Sequence, residues 1–221
     1  MIVRHAARHP RSILACAAAL AIAALASGCA APSHTYVGSS RYKMVFRVPS
    51  TWTSYSARDV GLVLGRAQDP TFGSTYPFLA GFDAAPNPEV TDLTKPGRLL
   101  DHPAVLSWIR QLPYGAHDQL SLQALRNAYY DVDKGLDQGI ASQVSYKAFT
   151  LPGGYWGNRT SFVIQGQTPT ASGRDLEVSQ IAATDQQAKY EYVLIVSCSP
   201  DCFARNRSTI DDILSSWRLK A

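Results

Sequence analysis

The sequence predicts an α+β fold, a largely antiparallel sheet covered by helices. Three observations predict it. Apolar and polar residues alternate in runs separated by hairpin-type turns through the second half of the chain. The run Tyr192, Val193, Leu194, Ile195, Val196 is apolar on both faces, as in a central strand. Helical spacing is confined to the middle and the C-terminus, so helices cover the sheet rather than link parallel strands.

The elements follow in order. Tyr42, Met44, Phe46 and Val48 fall on one face of a strand that Pro49 ends, and Trp52 follows in a turn. Residues 60–64 and 78–82 read as two short strands, and Pro86, Pro88, Pro96 and Gly97 make residues 84–100 a loop. Asp101 caps a short helix with Val105, Trp108, Ile109 and Leu112 inward. A longer helix over 117–131 places Leu122, Leu125, Tyr129 and Val132 at i, i+3, i+7 and i+10. Strands 144–150 and 155–165 flank Pro152, Gly153 and Gly154, and strands 176–184 and 190–197 flank residues 185–188. Ser199 and Pro200 form an N-cap and first-turn pair. The final helix carries Phe203, Ile210, Ile213, Leu214 and Trp217 inward. Trp52 and Trp217 are both expected in the core.

The N-terminus supplies an address. Arg4, Arg8 and Arg11 precede an uncharged run over 12–25 that is too short for a span of about 20 apolar residues. Leu25, Ala26, Ser27, Gly28 and Cys29 resemble the bacterial lipobox. The resemblance implies a signal peptide over 1–28, a lipid (diacylglyceryl, with palmitate-type acylation) on the Cys29 thiol, and a cell-membrane or outer-membrane anchor. The domain then lies outside the cytoplasm. Residues 29–40 are small and polar, suiting a flexible tether, and 41–221 form one domain of a size that buries a single good core.

Charge excludes one class of partner. The chain has 21 Lys and Arg against 17 Asp and Glu; three Arg leave with the signal, so 18 face 17 in the mature protein. No basic run or basic-aromatic stripe is present, and nucleic acid is not expected as a partner.

Four cysteines are present. Cys16 leaves with the signal and Cys29 takes lipid, so Cys198 and Cys202 remain as a pair in an exported protein, which reads as a disulfide. A redox couple usually has two intervening residues in a thioredoxin-like setting, and a metal site needs further ligands; neither surrounds this pair.

Two segments together resemble a known family. Residues 44–52, MVFRVPSTW, are similar to the opening F-x-V-P-x-x-W strand and turn of PsbP-like proteins. Ile210, Ile213, Leu214, Ser216, Trp217 and Arg218 are similar to that family's closing helix. The resemblance covers residues 41–221 and implies an α-β-α sandwich. It also implies a binding or assembly factor of the bacterial exported lipoprotein branch, with no catalytic residues. Residues 84–140 depart from the family's spacing and read as a helical insertion.

Other chemistry is weakly signalled. Asp131, Asp133 and Asp137 imitate a calcium loop, but Leu136 takes the required Gly position and Ser142 that of the bidentate Glu. His102, His117 and a carboxylate are the sole zinc candidates, and no G-x-S-x-G elbow exists. No catalytic, cofactor or metal residue is assigned. Tyr129, Tyr130, Tyr146, Phe149, Tyr155 and Trp156 cluster in sequence as core aromatics, with Tyr155 and Trp156, beside Gly153 and Gly154, the candidates for partner binding. The expected function is a non-enzymatic, membrane-anchored binding or assembly factor for an envelope partner. An envelope hydrolase with its site in the inserted region, or a carrier of an apolar ligand, are the alternatives.

Overall fold

Residues 32–94, 101–166 and 173–220 are described in the computed structural model. The strands are β1 (His34–Ser39), β2 (Met44–Pro49), β3 (Thr53–Tyr55), β4 (Phe78–Asp83), β5 (Ala104–Gln111), β6 (Ala141–Leu151), β7 (Tyr155–Ile164), β8 (Leu176–Thr184), β9 (Tyr190–Cys198) and β10 (Arg218–Leu219). The helices are α1 (Ala57–Val63), α2 (Phe72–Thr75), α3 (Leu122–Arg126), α4 (Val132–Asp137), α5 (Pro200–Arg205) and α6 (Arg207–Ser216). Among the described residues two sheets form: a seven-stranded one in the order β3-β4-β5-β9-β8-β7-β6, and a three-stranded one in the order β1-β2-β10. Every pairing is antiparallel.

The period of two along the central strands builds two cores. On β9, Tyr192, Leu194, Val196 and Cys198 face one side with Phe203, Ile210, Ile213, Leu214 and Trp217 of the C-terminal helical segment and Met44, Phe46 and Val48 of β2. Val193 and Ile195 face the other side with Val60, Leu93, Leu125 and Val132. Helices therefore cover both faces of a largely antiparallel sheet, an α+β sandwich. Trp217 is buried, while Trp52 is half-buried against the same core.

Several expectations are corrected. Residues 34–39 belong to the fold, not to a tether: β1 pairs along all of β2, and the compact unit begins at His34. Residues 60–64 are helical through Val63, because Ser56 and Asp59 cap α1 reciprocally, Asp59 N donating to Ser56 Oγ (3.2 Å) and Ser56 N to Asp59 Oδ2 (3.2 Å). Residues 104–111 form β5, not a helix. The run AVLSWI satisfies either period over so few residues, and pairing with both β4 and β9 decides for the strand. The segment read as a helical insertion, 84–140, thus contributes a central strand.

The helix expected over 117–131 is interrupted. A 3-10 helix, Ala116–Asp118, precedes α3, which ends at Arg126, and α4 begins at Val132. Buried amides of the sheet take over α3's free groups. Gln180 Nε2 donates to the carbonyls of Leu125 (2.8 Å) and Arg126 (3.2 Å), and Asn158 Nδ2 donates to that of Leu122 (2.8 Å). Asn127 Oδ1 accepts from Val132 N and Asp131 caps α4, so local side-chain bonds compete with helix continuation. The final helix is likewise two, broken at Asn206, whose Nδ2 donates to the Cys202 carbonyl (2.9 Å).

Candidate functional site

β6 spans 11 residues at the end of the seven-stranded sheet. Among the described residues its one neighbour is β7, so the groups along its outer edge have no strand to pair with. Ser142 to Ala148 are exposed in succession, including Val144 at 60% and Tyr146 at 40% of full exposure. Its far end is held firmly: Phe149 packs on Trp217 with ring centroids 6.3 Å apart, and Leu151 also meets the first core. A register shift between Gln143 and Ser145, together with Lys147, opposes indiscriminate edge pairing.

The surface beside this edge is organised by Arg126 of α3. Its guanidinium pairs with Asp133, donates to Gln143 Oε1 (3.2 Å), and lies 5.9 Å from the centroid of the Tyr146 ring. Asp133 also accepts from Gln123 and Asn127 (2.8 Å each). Asp133, in the stretch that imitates a calcium loop, is therefore engaged by an arginine and two amides, and Asp131 is a helix cap. Among the described residues no group of three or more His, Cys, Asp or Glu is arranged to hold a metal. Of the zinc candidates, His102 lies near Asp83. The His117 side chain lies outside the described residues.

Tyr155 and Trp156 are not brought together. Consecutive strand residues point to opposite faces, so Tyr155 meets Tyr192 edge-on at 5.7 Å in the first core, and Trp156 packs on the second. Tyr146, read as one core aromatic among several, is the most exposed of them, at 40%. Over 142–147 Val144 and Tyr146 alternate with Gln143, Ser145 and Lys147, the pattern of a strand with one buried face, so the sequence carried no signal that Tyr146 would be exposed.

Two of the hollows elsewhere among the described residues differ in character. A polar cleft of about 530 Å³ is lined by Arg66, Tyr76, Arg110, Tyr114 and Gln119. An apolar cavity of about 200 Å³ is lined by Leu93, Leu106, Tyr129, Tyr130, Ile164 and Leu176 on the second core's side. Burial pushes the Tyr129 and Tyr130 hydroxyls above their ordinary range, so both are neutral at physiological pH.

Cys198 and Cys202 are joined as a disulfide with Cα atoms 5.9 Å apart. It ties the end of β9 to the first turn of α5, where Ser199 Oγ accepts from Cys202 N (3.2 Å) and Pro200 opens the helix. Both cysteines are fully buried, the setting of a structural bridge rather than a reactive thiol. The predicted signal peptide and the candidate lipidation residue Cys29 lie outside the described residues. Among those described, no helix is long and apolar enough to cross a membrane.

No family model matches the chain, and no curated protein matches it. Among solved structures it is similar to a cyanobacterial PsbP (CyanoP) from Synechocystis sp. PCC 6803, at 13% identity. That match covers 87% of this chain and 96% of that one, with a TM-score of 0.49. It is also similar to LpqN of Mycobacterium tuberculosis, described as involved in cell envelope biogenesis, at 14% identity over 85% of this chain and 91% of that one, TM-score 0.45. The Ran-binding protein Mog1p of Saccharomyces cerevisiae matches at 8% identity over 86% and 96%, TM-score 0.43. These likenesses are distant, and the partners of those proteins do not transfer with them.

Proposed function

We propose that this chain is an exported, lipid-anchored, non-enzymatic binding or assembly factor that engages an envelope protein along the β6 edge. The observation that carries the reading is the length and exposure of β6 combined with its free outer edge. An extended segment laid there gains main-chain hydrogen bonds from the edge, and side-chain selectivity from Val144, Tyr146 and the Arg126 guanidinium. The lipobox-like stretch ending at Cys29 and the buried disulfide support an extracytoplasmic, oxidising location. The bulge at 143–145 supports a selective edge rather than a self-associating one.

The test is site-specific photocrosslinking in the native envelope. A photoreactive side chain at Val144 is expected to capture a discrete protein, while the same group at Leu62, exposed on α1, captures none. Equal capture from both positions, or none from Val144, removes β6 as the binding edge. The apolar cavity favours a second reading, carriage of a small apolar ligand. Displacement of a solvatochromic dye by such ligands, lost when Ile164 is enlarged to Phe, would support it over strand addition.

A further inference from the structure

One end of the sheet buries two acids together. Asp83 ends β4 and is 1% exposed; Asp92 lies in the 3-10 helix Val90–Leu93 and is 3% exposed. Their carboxyls are within hydrogen-bonding reach of each other. One oxygen of each is satisfied: Asp83 Oδ1 accepts from Ala85 N (2.8 Å), and Asp92 Oδ2 accepts from Glu89 N (3.2 Å). Among the described residues, Asp83 Oδ2 and Asp92 Oδ1 are buried with no hydrogen-bond partner. Two carboxylates in contact repel, and two buried unpaired charges are costly to desolvate. A single proton resolves both problems, because it turns one acceptor into a donor.

The surrounding charges agree. Tyr55 of β3, Asp92 of the 3-10 helix and His102 before β5 are the titratable groups facing Asp83, and Glu89, which precedes that helix, faces Tyr55. Burial, then the charge of Asp92, holds the Asp83 carboxyl above its ordinary range against the Ala85 amide and His102. Burial and the charges of Asp83, Asp92 and Glu89 push the Tyr55 phenol up to about 12, so it stays neutral.

The pair sits where it fastens something. Leu93 lies on Gly81 of β4 so closely that a Cβ there would stand 2.2 Å from Leu93 Cδ1. Leu93 and Thr94 then line the apolar cavity. We propose that Asp83 and Asp92 share one proton and act as a latch that seats the Val90–Leu93 helix on β4, closing that wall of the cavity, and that release of the proton loosens it. Because the folded pair binds a proton that the unfolded carboxyls release first, this contribution is lost as pH rises above the ordinary carboxyl range.

The test uses the full chain in detergent, with ¹³C-labelled aspartate followed by carboxyl NMR against pH. One Asp carboxyl is expected to remain protonated after the exposed ones have ionised. Its later titration should coincide with faster exchange of the Asp92, Leu93 and Thr94 amides, corrected for intrinsic rate, while β9 amides are unchanged. Asp83→Asn and Asp92→Asn should each abolish that late titration, since either amide donates permanently to the remaining carboxylate, and each should leave amide protection independent of pH. If all carboxyls of the wild-type chain ionise together, the shared proton does not exist. A late titration that persists in either variant would assign the effect to burial of one acid alone and overturn the pair. Both acids ionised with calcium retained through dialysis would replace the proton by a cation, also overturning it.

Discussion

Arg110 and Glu191 face one another in register across β5 and β9, the guanidinium half in solvent and the carboxylate buried. Nε stands 3.0 Å from Oε2, Nη2 donates to Oε1 at 3.1 Å, and the Trp108 indole donates to the same carboxylate at 3.2 Å. Arg110 thus carries the countercharge of an acid that has 2% side-chain exposure, from a position that also lines the polar cleft.

Removing Arg110 leaves that acid with one neutral donor. Arg110→Ala is expected to cost about 2–3 kcal/mol in denaturant unfolding, below the ~3–5 typical of a broken buried pair because solvent reaches the vacated side. Adding Glu191→Gln should recover part of the loss, since an amide needs no countercharge. An Arg110→Ala protein as stable as the parent would show that Trp108 and water suffice.

Trp217 tests the first core. It is 5% exposed, meets Phe149 edge-on, and buries an indole N–H that has no hydrogen-bond partner among the described residues. Trp217→Ala should cost about 3–5 kcal/mol through lost burial and a cavity. Trp217→Phe should cost much less, because it removes an unsatisfied donor along with one ring. Equal losses for the two would mean that the indole N–H finds a partner.

What was legible in the sequence follows from this packing. β8 was readable at its bounds, and β6, β7 and β9 to within a few residues, because hairpin turns and period-two burial are both local signals. β5 was misread because its six buried residues, apolar except for Ser107, fall on both faces, a pattern equally at home in a helix; only pairing with β4 and distant β9 distinguishes them. The break between α3 and α4 was hidden for a related reason, since Gln180 and Asn158, which hold α3 to the sheet, are remote in sequence. The disulfide pair was visible from compartment and count. The candidate edge was not, because whether a strand is central or terminal depends on strand order; nor was it legible that the pleat turns Tyr155 and Trp156 to opposite faces, each partly buried against a different core.

The disulfide should be a modest contributor. Its loop is short, so it restrains little unfolded-chain entropy, and Cys198→Ala with Cys202→Ala should cost about 1–2 kcal/mol. Ser199 and Pro200 still start α5 in that variant. Thiol labelling of unfolded, non-reduced mature protein is expected to find neither Cys198 nor Cys202 free. Two labelled thiols would mean that the pair is reduced in its native compartment and would reopen a redox or metal role.

The anchor is the remaining step between sequence and place. Thioether attachment requires the Cys29 thiol as nucleophile, and cleavage requires the small residues before it. Cys29→Ala should therefore abolish incorporation of a labelled fatty acid and shift the protein from the membrane fraction to precursor or soluble material. The folded unit begins at His34, so the variant's domain should unfold with the parent's midpoint. That separation matters, since a loss of membrane association together with a loss of stability would point to misfolding instead of a missing lipid. Unchanged fatty-acid labelling in Cys29→Ala would end the lipoprotein reading. Capture at Val144 that persists without the lipid would show that the anchor raises local concentration and that β6 supplies the recognition.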